Sequence, residues 1–458
     1  MGSTSNHFRS SLKCSASFDW RCVASGVGAG LLLALGAFPA FANPGIGTVS
    51  TGAASIASSS NKTQIDQSSE DVVINWSSFN VGAGQTTQFV QPNAQAIAVN
   101  RIGGNAPSQI LGTLDANGRI VLINGNGILF GQGSQVNVGS LVATSTGGSD
   151  SDVLSGKFTN AGNQNASVVN QGSIRTSQGG LVALVAPSVT NSGTVNAKFG
   201  TVALGAANKF TVDFSGDGLV SFAAQGDVNG NATAANTGSL VGANVSLTAH
   251  AAESVATGVV NMSGIIVAQT AHQTGGTITL DAGDSGNVSV SQAKLDASGA
   301  NGGGTIQIGG WNEASVAVDK ASVLNASAIQ TGNGGSISVI SGSTSFQGSA
   351  LARGGISSGN GGTIETSGHE LNFTGATVDA GATHGRDGSW LLDPYDLTVD
   401  SAAAATIDSS LASNTNVTLQ TTATGTSGPG NPNPSGNGDI IIDSAIAWNT
   451  IATLSLSA

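Results

Sequence analysis

This sequence specifies an all-β solenoid, a right-handed parallel β-helix, because short units repeat, each unit holds only strand-length apolar runs, and those runs alternate apolar with polar residues. Asn170-Gln171-Gly172-Ser173-Ile174 returns as Asn191-Ser192-Gly193-Thr194-Val195 after 21 residues, and Gly180-Leu181-Val182-Ala183-Leu184 returns as Gly200-Thr201-Val202-Ala203-Leu204 after 20. Further along, Gly275-Gly276-Thr277-Ile278, Gly303-Gly304-Thr305-Ile306, Gly334-Gly335-Ser336-Ile337 and Gly361-Gly362-Thr363-Ile364 follow one another at spacings of 28, 31 and 27. Units this small cannot bury their own apolar face, so neighbours must stack. Ile278 and Leu280 alternate with Thr277 and Thr279, and Val288 and Val290 with Ser289 and Ser291, which turns one set inward and the other to water. Gly and Asn at the corners are expected to supply positive φ angles where the chain changes face. A β-propeller needs blades of about 40 to 50 residues, longer than any of these spacings.

From the N-terminus, residues 1–42 read as a signal peptide with an extended n-region. Arg9, Lys13 and Arg21 precede an apolar stretch from about Val23 to Phe38, and Ala40-Phe41-Ala42 places small residues where a signal peptidase inspects them, so cleavage is expected between Ala42 and Asn43. Gly26, Gly28 and Gly30 interrupt a run shorter than the ~20 apolar residues of a spanning helix. Both cysteines, Cys14 and Cys22, fall inside this leader, so the mature chain has none, which suits unfolded passage across an oxidising periplasm. Asp71–Trp76, Arg119–Ile123 and Ile128–Phe130 are then expected as strands rich in β-branched and aromatic residues.

Composition excludes several functions. Only 9% of the 458 residues are charged, against about 25% in ordinary domains, while 67 are Gly. Without the leader, 11 basic residues face 25 acidic ones, a net charge of −14. With no clustered Lys or Arg, such a surface repels nucleic acid and anionic lipid.

Five stretches occur in one order: Asn43-Pro44; Val73-Ile74-Asn75-Trp76-Ser77-Ser78-Phe79-Asn80; Val99-Asn100-Arg101-Ile102; Gln109-Ile110-Leu111-Gly112; and Gly118 through Asn124, running into Gly125-Asn126-Gly127-Ile128. In these the chain resembles the secretion domain of two-partner secretion exoproteins of the filamentous-haemagglutinin family. Gly125 stands where the family's turn usually carries Pro. The family's Asn-Pro-Asn-Leu motif is missing, since Asn431-Pro432-Asn433-Pro434 lies too far along. Trp390-Leu391-Leu392-Asp393-Pro394-Tyr395-Asp396 resembles a segment of large adhesins of the same class. The resemblance implies an N-terminal cap on the β-helix, a secretion domain over 43–275, a Gly-Gly repeat region over 276–392, and further, truncated β-helix over 393–458. As partners it implies an outer-membrane β-barrel transporter with periplasmic POTRA domains, after passage by the Sec translocon and signal peptidase, and a host-cell surface or glycan receptor. The product is expected to be secreted and cell-surface associated, reaching the exterior through the periplasm and outer membrane.

Within these motifs, Trp76 and Phe79 read first as core aromatics sealing the first coil, and the resemblance adds a part in the cap. Asn124, Asn126 and Gly127 read as a tight turn or as a contact with the transporter. Asn100 and Arg101, in a cation-poor chain, read as hydrogen-bonding and salt-bridging residues at the cap, and Asn75 shares the Trp76 motif.

Catalytic and metal chemistry find no pattern. Asp393, Asp396 and Asp400 form the densest acidic group and read as a surface loop. Gly283-Asp284-Ser285-Gly286 imitates a serine-protease nucleophile loop but sits at a coil corner, and Gly355-Ile356-Ser357-Ser358-Gly359 matches the α/β-hydrolase pattern but lacks its strand-to-helix elbow. His250, His272, His369 and His384 keep no i, i+4 spacing, the Ca²⁺ nonapeptide pattern is not kept, and no Arg-Gly-Asp occurs. No catalytic residue, cofactor or metal is expected. The expected function is that of a secreted adhesin whose N-terminal domain directs export. The secretion module of a contact-dependent inhibition toxin or haemolysin, or a β-helical carbohydrate-active enzyme, are the alternatives.

Overall fold

The computed structural model describes residues 43–214, 220–222, 232–249, 258–421 and 438–458. Ala40, Ala42, both cysteines, His250 and Asn431 through Pro434 lie outside them. The described chain is a parallel β-helix whose coils each lay down up to three strands, and like strands of successive coils stack into columns. One full coil runs Leu181–Ala186, Ser188–Asn191, Thr194–Asn196, and the next restarts at Thr201–Ala206 directly on top of the first, pairing Leu181 with Thr201 and Leu184 with Leu204. The repeat spacings of the sequence are therefore coil lengths. Ile278 pairs in register with Ile306, Ile306 with Ile337, Ile337 with Ile364, and Ile364 with Trp390. Their side chains fill an interior in which Ile278, Leu280, Ile306, Ile308 and Leu324 are fully buried. At about 25 cal/mol per Å² of apolar surface, that shared interior supplies the stabilisation no single coil could.

The N-terminal end is closed by strands running the other way. Gly47–Thr51 pairs antiparallel with Asp71–Trp76, and Ala54–Ser58 antiparallel with Lys62–Gln67, covering the first coil's edges as a cap.

Near this end the first column is buried on both faces. Arg119–Asn124 and Leu181–Ala186 are almost wholly buried, unlike the half-exposed Thr277–Asp281. The cover comes from two excursions. One, after Ser140–Thr144, forms the helix Asp150–Leu154 and the strand Lys157–Phe158, and the other, after Thr201–Ala206, forms Phe210–Val212, which pairs antiparallel with the first and with Val220–Phe222. Beneath them Val73, Val99, Val121, Val142 and Ala183, which stack in register on the outer face, join Val153, Phe158 and Phe210 in a second apolar core, with the rings of Phe158 and Phe210 stacked at 4.4 Å.

Two expectations are corrected. The paired glycines of the second array do not have positive φ. They are needed because the next coil leaves no room. A Cβ on Gly304 would lie 2.1 Å from Gly276 O, one on Gly335 1.8 Å from Gly304 O, and one on Gly303 1.8 Å from Ala326 O. Nor are the stacked asparagines left-handed. Asn170 Nδ2 donates to Asn191 Oδ1 at 2.7 Å and Asn191 Nδ2 to Asn236 Oδ1 at 2.7 Å, a buried ladder with one rung per coil. The second correction concerns 393–458. Strands Ser389–Asp393, Asn416–Gln420 and Leu454–Ser457 continue the first column, but a helix, Ser401–Ala412, packs against Thr377–Asp379 of the third. Asp400 starts it by accepting hydrogen bonds from Ala402 N and Ala403 N, and the alanine run that follows favours helix.

Candidate functional site

The five motif stretches converge at the capped end. Asp71–Trp76, Ile97–Ile102 and Arg119–Asn124 are adjacent first-column strands, with Ile74 opposite Asn100 and Asn100 opposite Leu122. Asn100 is thus an amide inside an apolar interior, and it is fully buried. Its needs are met there: Trp76 Nε1 donates to Asn100 Oδ1 at 2.9 Å, and Asn100 Nδ2 donates to Ala98 O and Val121 O at 3.1 and 3.3 Å. Trp76 in turn meets Phe79 edge to face, ring centroids 5.4 Å apart. Asn75, between buried Ile74 and Trp76, points outward.

Asn124 closes the third of these strands and starts a turn. Its carbonyl accepts Gly127 N–H at 2.9 Å, and its Oδ1 accepts Asn126 N–H at 2.9 Å. Asn124 Nδ2 reaches Ala106 O and Ser108 Oγ, each at 3.0 Å, and Asn126 Nδ2 reaches Gly104 O at 2.8 Å, so the turn is tied to the preceding coil. Gly127 has φ +104, and a Cβ there would lie 2.5 Å from Ser167 O; here glycine is required on both counts. Gly125 has only Gly162 Cα nearby, at 3.7 Å from an added Cβ.

Arg101 connects three parts of the chain. Its Nη2 lies 3.1 Å from Asp150 Oδ1, and Asp150 Oδ2 accepts from Thr51 Oγ1 at 2.8 Å and Ser50 Oγ at 3.3 Å. One carboxylate so joins the second coil, the cap strand and the excursion helix. Asp150 was not singled out from sequence, although Ser149, which accepts Asp152 N–H as the helix N-cap, marks the helix start. Asn43 Nδ2 donates to Ser59 O at 2.9 Å, and Gly45 N to Ser78 O at 2.9 Å, which lays the start of the described chain along the motif. An open groove beside it is lined by Asn43, Pro44, Ile46, Ile56 and Gln85. A second groove holds Asp71, whose carboxyl is raised by burial and by Glu70, with Arg119 opposing.

Elsewhere the aspartates expected on a surface loop are parted by structure. Asp393 ends a strand, nearly buried, and accepts Gln420 Nε2; Asp396 accepts Gly438 N–H and Asp439 N–H; Asp400 caps the helix. Trp390 is fully buried, donates from Nε1 to Thr366 Oγ1 at 2.9 Å, and meets Phe373 edge to face. Ser285 and Ser357 sit on exposed corners. Among the described residues, no three His, Cys, Asp or Glu side chains converge as metal ligands.

Comparison with known proteins places this geometry. A family model described as the TPS secretion domain matches residues 42–308. Two proteins named heme/hemopexin-binding protein, both from Haemophilus influenzae, are 41% identical over 97 residues and 49% identical over 84. These alignments take in 21% and 18% of this chain and only 11% and 9% of those proteins. The crystal structure of the HMW1 secretion domain from Haemophilus influenzae superposes with a TM-score of 0.60 at 27% identity, covering 77% of this chain and 100% of that one.

Proposed function

Because the chain belongs to the TPS secretion domain family of two-partner secretion exoproteins, we propose that residues 43–275 direct its export through a partner outer-membrane β-barrel transporter, whose POTRA domains receive the unfolded chain in the periplasm. The observation that carries this reading is the similarity to the HMW1 secretion domain along the whole of that domain. Physical features support it. No cysteine follows position 22, so no disulfide can lock a loop before threading. Each coil pairs with its immediate neighbours, so folding outside the cell can add one coil at a time and draw the chain outward without ATP.

Beyond the secretion domain the coils go on stacking one on the next, and adhesion to a host-cell surface or glycan is the role we assign to them. The similarity to heme/hemopexin-binding proteins supports a second reading, presentation of a haem- or hemopexin-binding surface. In either reading the chain is a carrier and not an enzyme. The test is a pull-down on the transporter's immobilised POTRA domains. Chain diluted from denaturant is expected to be retained, and prefolded chain to pass through; equal retention of both would contradict passage of an unfolded chain. Purified folded chain probed with haem, hemopexin and a glycan panel then separates the two surface roles.

A further inference from the structure

Glu313 stands at the corner between strands Thr305–Gly309 and Ser315–Val318, with its side chain turned into the helix and only 4% exposed. Its Oε1 accepts Ala282 N–H at 3.0 Å, and its carboxyl also meets the Asp281 carboxyl within hydrogen-bonding reach, a contact that favours the protonated form. The titratable groups facing it are Asp281 and Asp284 of the preceding coil, both acids. From the following coil Ile340 and Gly342 approach it, and neither titrates. Among the described residues, the charged groups that shift it are Asp281 and Asp284 alone. Asp319, close by in sequence, shows the contrast. Against the desolvation that raises it, hydrogen bonds from Ser322, Gln292 and Ser291 bring its carboxyl down to about 2. Glu313 has one such donor and two like-charged neighbours.

We propose that this corner is a proton-linked folding element, in which Glu313 takes up a proton as its coil closes, so that acid tightens the β-helix here and alkali loosens it. A buried carboxylate beside acidic neighbours is penalised twice, by desolvation and by repulsion, and its neutral form escapes both. Burial first, then Asp281 and Asp284, against the pull of the Ala282 hydrogen bond, push Glu313 from 4.5 up to about 9. Below 4.5 folded and unfolded chains both hold the proton, and the full stability is present. Between 4.5 and about 9 only the folded chain holds it, so stability falls as pH rises, by up to about tenfold in the folding equilibrium per pH unit. Among the described residues Glu313, Asp281 and Asp284 do not converge as metal ligands, which favours a proton as the compensating charge. Resting on the export reading, a further consequence is that a chain threaded ionised and folded protonated is drawn more strongly into an acid medium.

The test needs no transporter, so its failure leaves the export reading standing. Purified chain is unfolded in urea across pH 5 to pH 9, a window bracketed by the two Glu313 values. The wild-type midpoint is expected to fall steadily, and that of Glu313→Gln, which mimics the neutral acid, to stay nearly level. Equal slopes would overturn the proposal, and so would a slope abolished by millimolar Ca²⁺, which would make the site a metal site. Should Glu313→Gln fail to fold, the carboxyl resonance of ¹³C-glutamate-labelled wild type decides: titration above pH 7 supports the assignment, and titration near the ordinary glutamate value of 4.5 overturns it.

Discussion

Replacing Asn100 separates a structural motif from a docking motif. Asn100→Ala removes the acceptor of Trp76 Nε1, 2.9 Å away, and two donated hydrogen bonds to Ala98 O and Val121 O. With both residues almost wholly buried, no water replaces the lost partner. An orphaned buried N–H costs about 1–3 kcal/mol, and each lost net hydrogen bond about 0.5–1.5. Together these give a loss of about 2–6 kcal/mol for Asn100→Ala. Trp76→Phe removes the indole N–H and strands Asn100 Oδ1 instead. Since the orphan penalty arises once per broken pair, the double variant should be less destabilised than the two single losses summed, by about 1–3 kcal/mol. The cycle is read from urea unfolding of the folded chain by far-ultraviolet circular dichroism. Strict additivity, a coupling near zero, would refute the view that Asn100 is placed in the interior to satisfy Trp76.

Gly304→Ala should lower stability by about 1–3 kcal/mol, because its Cβ would lie 2.1 Å from Gly276 O, whereas Gly310→Ala, with nothing within 4 Å, should stay within about 0.5; urea midpoints compare them. Asn191→Ala breaks the middle rung of the asparagine ladder and leaves Asn170 Nδ2 and Asn236 Oδ1 without that partner, an expected loss of about 2–4 kcal/mol by the same measurement, much of it recovered when all three become Val. Arg101→Met opens a half-exposed ion pair worth under about 1 kcal/mol, so global stability should barely move. Limited proteolysis should nevertheless cut the helix Asp150–Leu154 faster, with Asp150→Asn giving the same pattern and no added effect in combination.

The solenoid was legible because stacking writes itself into sequence: every coil repeats the demand for small residues where backbones meet and apolar residues inside. Asn170 and Asn191 could be recognised as equivalent from their spacing, but not as a hydrogen-bonded ladder, since a turn asparagine and a stacked one look alike in one dimension. The glycine pairs were found and their reason misjudged, because crowding by the next coil, 28 or so residues away, is invisible locally. The excursions left one trace. Ile120-Val121-Leu122-Ile123 and Leu181 through Ala186 do not alternate, as strands covered on both faces need not. The motif residues lie together at the capped end, yet Asp150, which ties Arg101 to Thr51, lies outside the motifs; tertiary pairing alone reveals it. The helix Ser401–Ala412 was signalled by Asp400 and four alanines and was outweighed by the β character of everything before it.

The most direct measurement is export of residues 1–308, the proposed signal peptide together with the family-matched segment, from cells with and without the partner transporter. Appearance in the medium only when the transporter is present, folded and protease-resistant, is the predicted result. Equal release without the transporter, or retention in the periplasm with it, would contradict the assignment of this chain's N-terminal domain to transporter-directed secretion.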